Sequence, residues 1–145
     1  KSSHKIGSII FGGYDMSASL RVEPNWDSLL LARHKLVLAA ANAKVELLDM
    51  PYFGLEDPLG LQEETKKVSE IGFTGKCAIH PKQLDMINQV FSPNVEEVKK
   101  AQNLIKKYES QDKAFVEIDG LLMEKPVIER LYRIIAISEL IDNKE

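Results

Sequence analysis

Ile6-Gly7-Ser8-Ile9-Ile10-Phe11-Gly12-Gly13-Tyr14-Asp15 is an apolar run that stops at two glycines and an aspartate. Ile6, Ile9, Ile10 and Phe11 read as a buried strand. Gly12 and Gly13 let the backbone turn sharply or approach a ligand closely. Asp15 falls just past the strand's carboxyl end, the edge of an α/β sheet where ligands bind. Working outward, VELLDM (45–50) and GKCAI (75–79) are two more strand-like runs that end in polar groups. Between the three lie patterns of helical period. Asn25 caps a helix over Trp26–Ala43, after a short polar connection, MSASLRVEP. Asp57-Pro58 starts a second helix, running to about Glu70 and stopped by Gly72.

Beyond the third strand, His80-Pro81 opens a short helix toward Phe91. Asn94 begins a charged helix whose apolar face holds Val95, Val98, Ala101, Leu104 and Ile105. Asp119-Gly120, between two apolar runs, signals a hairpin. A last helix runs from Pro126. Strand and helix alternating with short links predict a parallel sheet, its strands buried on both faces. Three strands cannot close an eight-stranded barrel, so the pattern allows a small open sheet or part of a barrel.

Composition narrows the functional classes. The chain has 145 residues, 44% of them apolar and 28% charged, which fits a soluble globular domain. A net charge of −3 and a pI near 5.7 give no basic footprint for nucleic acid. No run approaches the roughly 18 apolar residues of a membrane helix. The single cysteine, Cys77, rules out an internal disulfide and reads as a core thiol in a reducing compartment. Nothing at the start reads as a signal or transit peptide. A start at Lys1 without methionine is more typical of a fragment or processed chain than of a native beginning. No P-loop, GxSxG or dinucleotide fingerprint is present.

The acidic residues carry the candidate chemistry. Asp15 could ligate a metal, accept a proton or cap the turn. Among Asp49, Glu56 and Asp57, Asp57 is explained as a helix cap, and Asp49 is the better site candidate. Carboxylates without neighbouring cysteine ligands point to a hard cation such as Mg²⁺, not zinc. His80 is a base, a ligand or a cap.

FGGYD, LLLARHKLVLAAANA, LLDMPYFGLEDPLGL and GFTGKCAIHPKQLDMINQVFSPNVEEV, in that order and spacing, resemble the citrate lyase beta subunit / malyl-CoA lyase / HpcH-HpaI aldolase family. IDGLLMEKPVIERLYRI is similar to the C-terminal extension of its citrate lyase-like branch. The resemblance implies a (β/α)₈ TIM barrel, usually a homotrimer, acting on acyl-CoA thioesters with Mg²⁺. It implies that residues 1–92 are the last three β/α units of that barrel. Residues 93–145 would then be a helical extension with a β-hairpin that contacts a neighbouring subunit, and the N-terminal half of the barrel would lie upstream.

By the same resemblance, Asp15 is the metal aspartate and Gly12 and Gly13 admit substrate to the backbone. Asp49, Met50 and Pro51 wall the thioester site, and Ile79, His80 and Pro81 support the adenine end of the coenzyme. Glu124 stands where an aspartate is expected to act as acid/base in a neighbouring subunit's site, one methylene farther from the backbone. The implied activity is cleavage of a 3-hydroxyacyl-CoA, such as citryl-CoA or malyl-CoA, into acetyl-CoA and an oxo acid. Alternatives are a condensing or thioester-hydrolysing enzyme of malate synthase type, or a non-catalytic acyl-CoA-binding homologue. The cytoplasm is the expected location, or the mitochondrial matrix in a eukaryote.

Overall fold

The computed structural model describes residues 6–111 and 115–142. Contacts divide the chain into two compact units, the first ending at Phe91 and the second beginning at Ser92. In the first unit, β1 (Ser8–Ile10), β2 (Glu46–Asp49) and β3 (Gly75–Lys76) form a parallel sheet in that order. Register pairs Ile9 with Leu47 and Asp49 with Lys76. Helices α1 (Gly13–Leu20) and α2 (Trp26–Ala43) separate β1 from β2, and α3 (Pro58–Glu70) separates β2 from β3. A 3₁₀ turn over Pro81–Gln83 leads into α4 (Leu84–Phe91).

Local chemistry explains most of these boundaries. Asn25 accepts from the Ser28 N–H at 3.0 Å and caps α2. Asp57 accepts from the Gly60 N–H at 2.9 Å, with Pro58 in the first turn of α3. Gly72 follows that helix at φ +107°, a conformation that favours glycine, and a Cβ there would come within 2.9 Å of Val37 Cγ1. The core of the unit joins Phe11, Leu47 and Met50 to Leu29 and Ala40 of α2, Val68 of α3, and Phe73.

Three expectations are corrected. The connection after FGGYD is largely helical, because Ser17 and Ser19 satisfy their hydroxyls on the Tyr14 and Asp15 carbonyls within α1. Its helical course ends at Arg21, in the left-handed region at φ 60°. The third strand is two residues long rather than five. Cys77 N–H still bonds the Asp49 carbonyl, but the Ile79 N–H turns to Gln83 Oε1. Nor is β1 buried on both faces: Ile9 packs against the core, while Ile10 is 62% exposed. Alternation along a strand puts one set of side chains on the helix layer and the other on the opposite face.

In the second unit, α5 (Val95–Glu109) opens on a capping box between Asn94 and Glu97. Strands β4 (Val116–Ile118) and β5 (Leu121–Met123) pair antiparallel across Asp119-Gly120, whose φ values of 52° and 78° are those of a type I′ turn. Helix α6 (Lys125–Asp142) follows. Ala101, Leu104, Ile105, Ile118, Met123 and Leu131 make this unit's own core.

Candidate functional site

The carboxyl edge of the sheet gathers three loops. In the first, Gly12 precedes α1 and its φ of −82° is not left-handed. The glycine that matters sterically is Gly13: a Cβ there would collide with Met50 Sδ and press on Phe11 and Leu29. Neither glycine adopts positive φ, so the pair serves close approach rather than a sharp turn. Asp15 lies in the first turn of α1, where a carboxylate is favoured by the helix dipole. Its side chain is exposed and has no hydrogen-bond or ion-pair partner among the described residues. It does not cap the helix.

The second loop follows β2. Met50 is buried, Pro51 half-buried, and Phe53 meets the Tyr14 ring at 4.4 Å between centroids. The Tyr52 hydroxyl donates to Asp57 at 2.6 Å. That bond, with burial, pushes the phenol up to about 12, and it holds the Asp57 carboxyl below its ordinary value, helped by the Gly60 N–H. The third loop is tied to the second through Gln83, whose amide donates to the Tyr52 carbonyl at 2.7 Å. Its Oε1 accepts from the Ile79 N–H at 2.9 Å. His80 is a cap: Nδ1 accepts from the Lys82 N–H at 3.1 Å. Ile79 and Pro81 are exposed. Thus Gly12, Gly13, Asp15, Met50, Pro51, Ile79, His80 and Pro81 lie on interlinked loops at one edge.

Asp49 is placed differently. It shares the helix-facing side of β2 with Leu47, is fully buried, and is taken up by two cations. Arg33 donates through Nε at 3.0 Å and Nη2 at 3.3 Å, and Lys76 Nζ donates at 2.8 Å. Strand parity thus turns Asp49 to the helix-facing side of this unit, where Arg33 and Lys76 take up its oxygens, whereas the sequence reading set it in the thioester wall. The two cations were not foreseen. A lysine inside a buried strand and an arginine within the apolar run LLLARHKL were the available signals. Arg33 lies over the Trp26 ring at 4.8 Å, which offsets in part the lack of a hydrogen-bond partner at Nη1 among the described residues. Cys77 is half-buried, and burial, aided by Asp49, pushes its thiol up, so it is a poor nucleophile. Glu124 belongs to the second unit. It is exposed, and its carbonyl accepts the Ile128 N–H at the start of α6.

The described residues assemble no group of three or more His, Cys, Asp or Glu able to enclose a metal. Asp15 nonetheless fits a hard cation that keeps waters and takes one or two carboxylates: its oxygens are accessible and uncommitted. None of the described helices is long and apolar enough to cross a membrane.

The family model for HpcH/HpaI aldolase/citrate lyase matches residues 2–81. The chain belongs to that family. It is 28% identical over 144 residues to the mitochondrial citramalyl-CoA lyase of Rattus norvegicus, covering 96% of this chain and 43% of the rat protein. The chain thus spans less than half the length of that relative. The crystal structure of RipC from Yersinia pestis is 41% identical with a TM-score of 0.65, covering 66% of this chain and 45% of that one. CitE from Mycobacterium tuberculosis, solved with magnesium, acetoacetate and coenzyme A, is 22% identical with a TM-score of 0.75, covering 90% and 51%. These likenesses make the three-stranded unit part of the family's TIM-barrel fold.

Proposed function

We propose that the whole protein is a Mg²⁺-dependent carbon–carbon lyase that cleaves a 3-hydroxyacyl-CoA, such as citryl-CoA or malyl-CoA, into acetyl-CoA and an oxo acid. The observation that carries this reading is Asp15, an accessible, uncommitted carboxylate held by the first turn of α1 at the carboxyl edge of the sheet. Magnesium held there, with a further carboxylate from outside these residues, would supply Lewis-acid polarisation of the substrate's oxygens.

The chain's own residues provide position. Gly12 and Gly13 keep the backbone beside Asp15 open to substrate. Met50 and Pro51 form a wall, while Ile79, His80 and Pro81 support the coenzyme's adenine end. Asp49 supports that wall from beneath instead of touching the thioester. In the reaction, the substrate hydroxyl loses its proton and becomes the carbonyl of the oxo acid. The carbon–carbon bond breaks, its electron pair passes to the thioester's α-carbon, and a proton returns there. Glu124, exposed at the start of α6, is the group we assign to that protonation, acting in the site of a neighbouring subunit of a homotrimer. Residues 1–92 are in this reading the end of the barrel, and 93–145 a lid over the neighbour.

The test is Asp15→Ala in the complete protein, assayed with citryl-CoA and malyl-CoA. Turnover is expected to fall about a hundredfold or more, with loss of Mg²⁺ affinity. Unchanged turnover and metal affinity would overturn the reading.

A further inference from the structure

The buried ammonium of Lys76 is the least explained group in the first unit. Its side chain is 0% exposed and its Nζ has three acceptors, as many as an ammonium can serve. They are Asp49 Oδ2 at 2.8 Å, the Met50 carbonyl at 2.8 Å and Glu64 Oε1 at 2.7 Å. These belong to the end of β2, the first residue of the loop after it, and the middle of α3. A buried charge of this kind adds little net stability over a well-packed apolar residue. What it does supply is direction. The Met50 carbonyl is fixed by Lys76, and the Met50 thioether fills the space a Cβ on Gly13 would need. Gly13 is the first residue of α1, and Asp15 stands in its first turn.

We propose that Lys76 is a positioning residue for the metal carboxylate, acting through Met50 and Gly13 on the turn that presents Asp15. The proposal rests on the reading of Asp15 as a metal ligand. Residues that orient metal ligands from behind characteristically alter metal affinity about 10- to 100-fold when removed. A purely structural lysine would instead lower the melting temperature and leave the affinity of the folded protein alone.

The experiment uses the complete protein and Mn²⁺ as an electron-paramagnetic-resonance probe, with circular dichroism to verify folding. Lys76→Met removes the ammonium and keeps the aliphatic stem. Met50→Ala leaves every charge in place and breaks the link at the thioether. Both are expected to weaken Mn²⁺ binding about tenfold, with Lys76→Arg recovering part of the loss. Val68→Ala, in the same core but not among the groups nearest Gly13, should lower stability without moving Mn²⁺ affinity. Folded Lys76→Met with unaltered affinity would overturn the proposal. If that variant does not fold, unaltered affinity in Met50→Ala overturns it equally. Asp15→Asn separates the two levels: undiminished Mn²⁺ binding there removes the ligand reading, and the relay falls with it. Abolished binding in Asp15→Asn with no effect from Met50→Ala removes the relay alone.

Discussion

Asp15 and Asp49 both follow the course of parallel strands to the carboxyl edge of the sheet, Asp49 as the last residue of β2 and Asp15 in the first turn of α1 beyond β1, and their surroundings differ. Asp49 continues the helix-facing parity of Leu47 and ends between Arg33 and Lys76 at 0% exposure. Asp15 has left its strand and stands exposed in a helix turn. Removing one partner of a buried ion cluster leaves the others uncompensated, so Asp49→Asn should cost about 3–5 kcal/mol in a urea titration. Asp15→Asn, at an exposed site without partners among the described residues, should stay within about 1 kcal/mol. The Tyr52–Asp57 bond makes a pH prediction. The phenol's folded value is raised, to about 12, so its contribution is complete below its ordinary value near 10 and is lost as pH rises from there to 12. Asp57 is lowered, so its contribution is present above the ordinary aspartate range and is lost as pH falls through its folded value. In a phenolate absorbance titration the Tyr52 phenol should ionise near pH 12, and Asp57→Asn should return it toward about 10, while Tyr132, also raised by its bond to Glu109, should not respond to that substitution.

At the scale of elements, two glycines of positive φ differ in their surroundings. Gly120 in the β4–β5 turn has open space where a Cβ would go, so Gly120→Ala should cost only the left-handed strain, about 1 kcal/mol. Gly72→Ala adds a contact of 2.9 Å with Val37 and should cost about 1–3 kcal/mol more, read as a larger fall in melting temperature. These stops, like the caps at Asn25, Asp57 and Asn94, were legible in the sequence because each is set by a few adjacent residues. Parity was not: in VELLDM the apolar Leu47 and Leu48 are adjacent, so the run has no clean alternation to show which face Asp49 occupies. Helix α1 was hidden for a related reason. Serines in MSASL resemble a loop, yet in α1 they bond carbonyls three and four residues back. The third strand stopped early because Gln83, four residues beyond Ile79, captures the Ile79 N–H, a competition that an apolar run does not reveal. The family motifs named residues that the fold sets on loops at one edge of the sheet, whereas Lys76 and Arg33 acquire meaning only once β2, β3 and α2 are packed.

At the scale of the whole molecule, Asp15 and Glu124 fall in two separate compact units, and the proposed reaction assigns them to one site built from two chains. That assignment can be tested without knowing the oxo acid in advance. Asp15→Asn chains lack the metal carboxylate but keep Glu124, and Glu124→Gln chains have the converse defect. Each variant alone should be nearly inactive. In a mixed homotrimer, a site formed by the Asp15 of one chain and the Glu124 of its neighbour is intact whenever the right pair of chains is adjacent. Random assembly of equal amounts makes this about one site in four. Co-expression of the two variants should therefore restore about a quarter of the lyase activity, measured as acetyl-CoA formed from citryl-CoA or malyl-CoA without release of free thiol. If both groups served the same chain's site, mixing would restore nothing, because every chain would carry one lesion. Glu124→Asp, measured beside them, tests the extra methylene. A carboxylate displaced by about 1 Å can cost on the order of a hundredfold in rate, so a rise in turnover in that variant would locate the protonation at this position. A fall would mean that the site is shaped to the longer side chain.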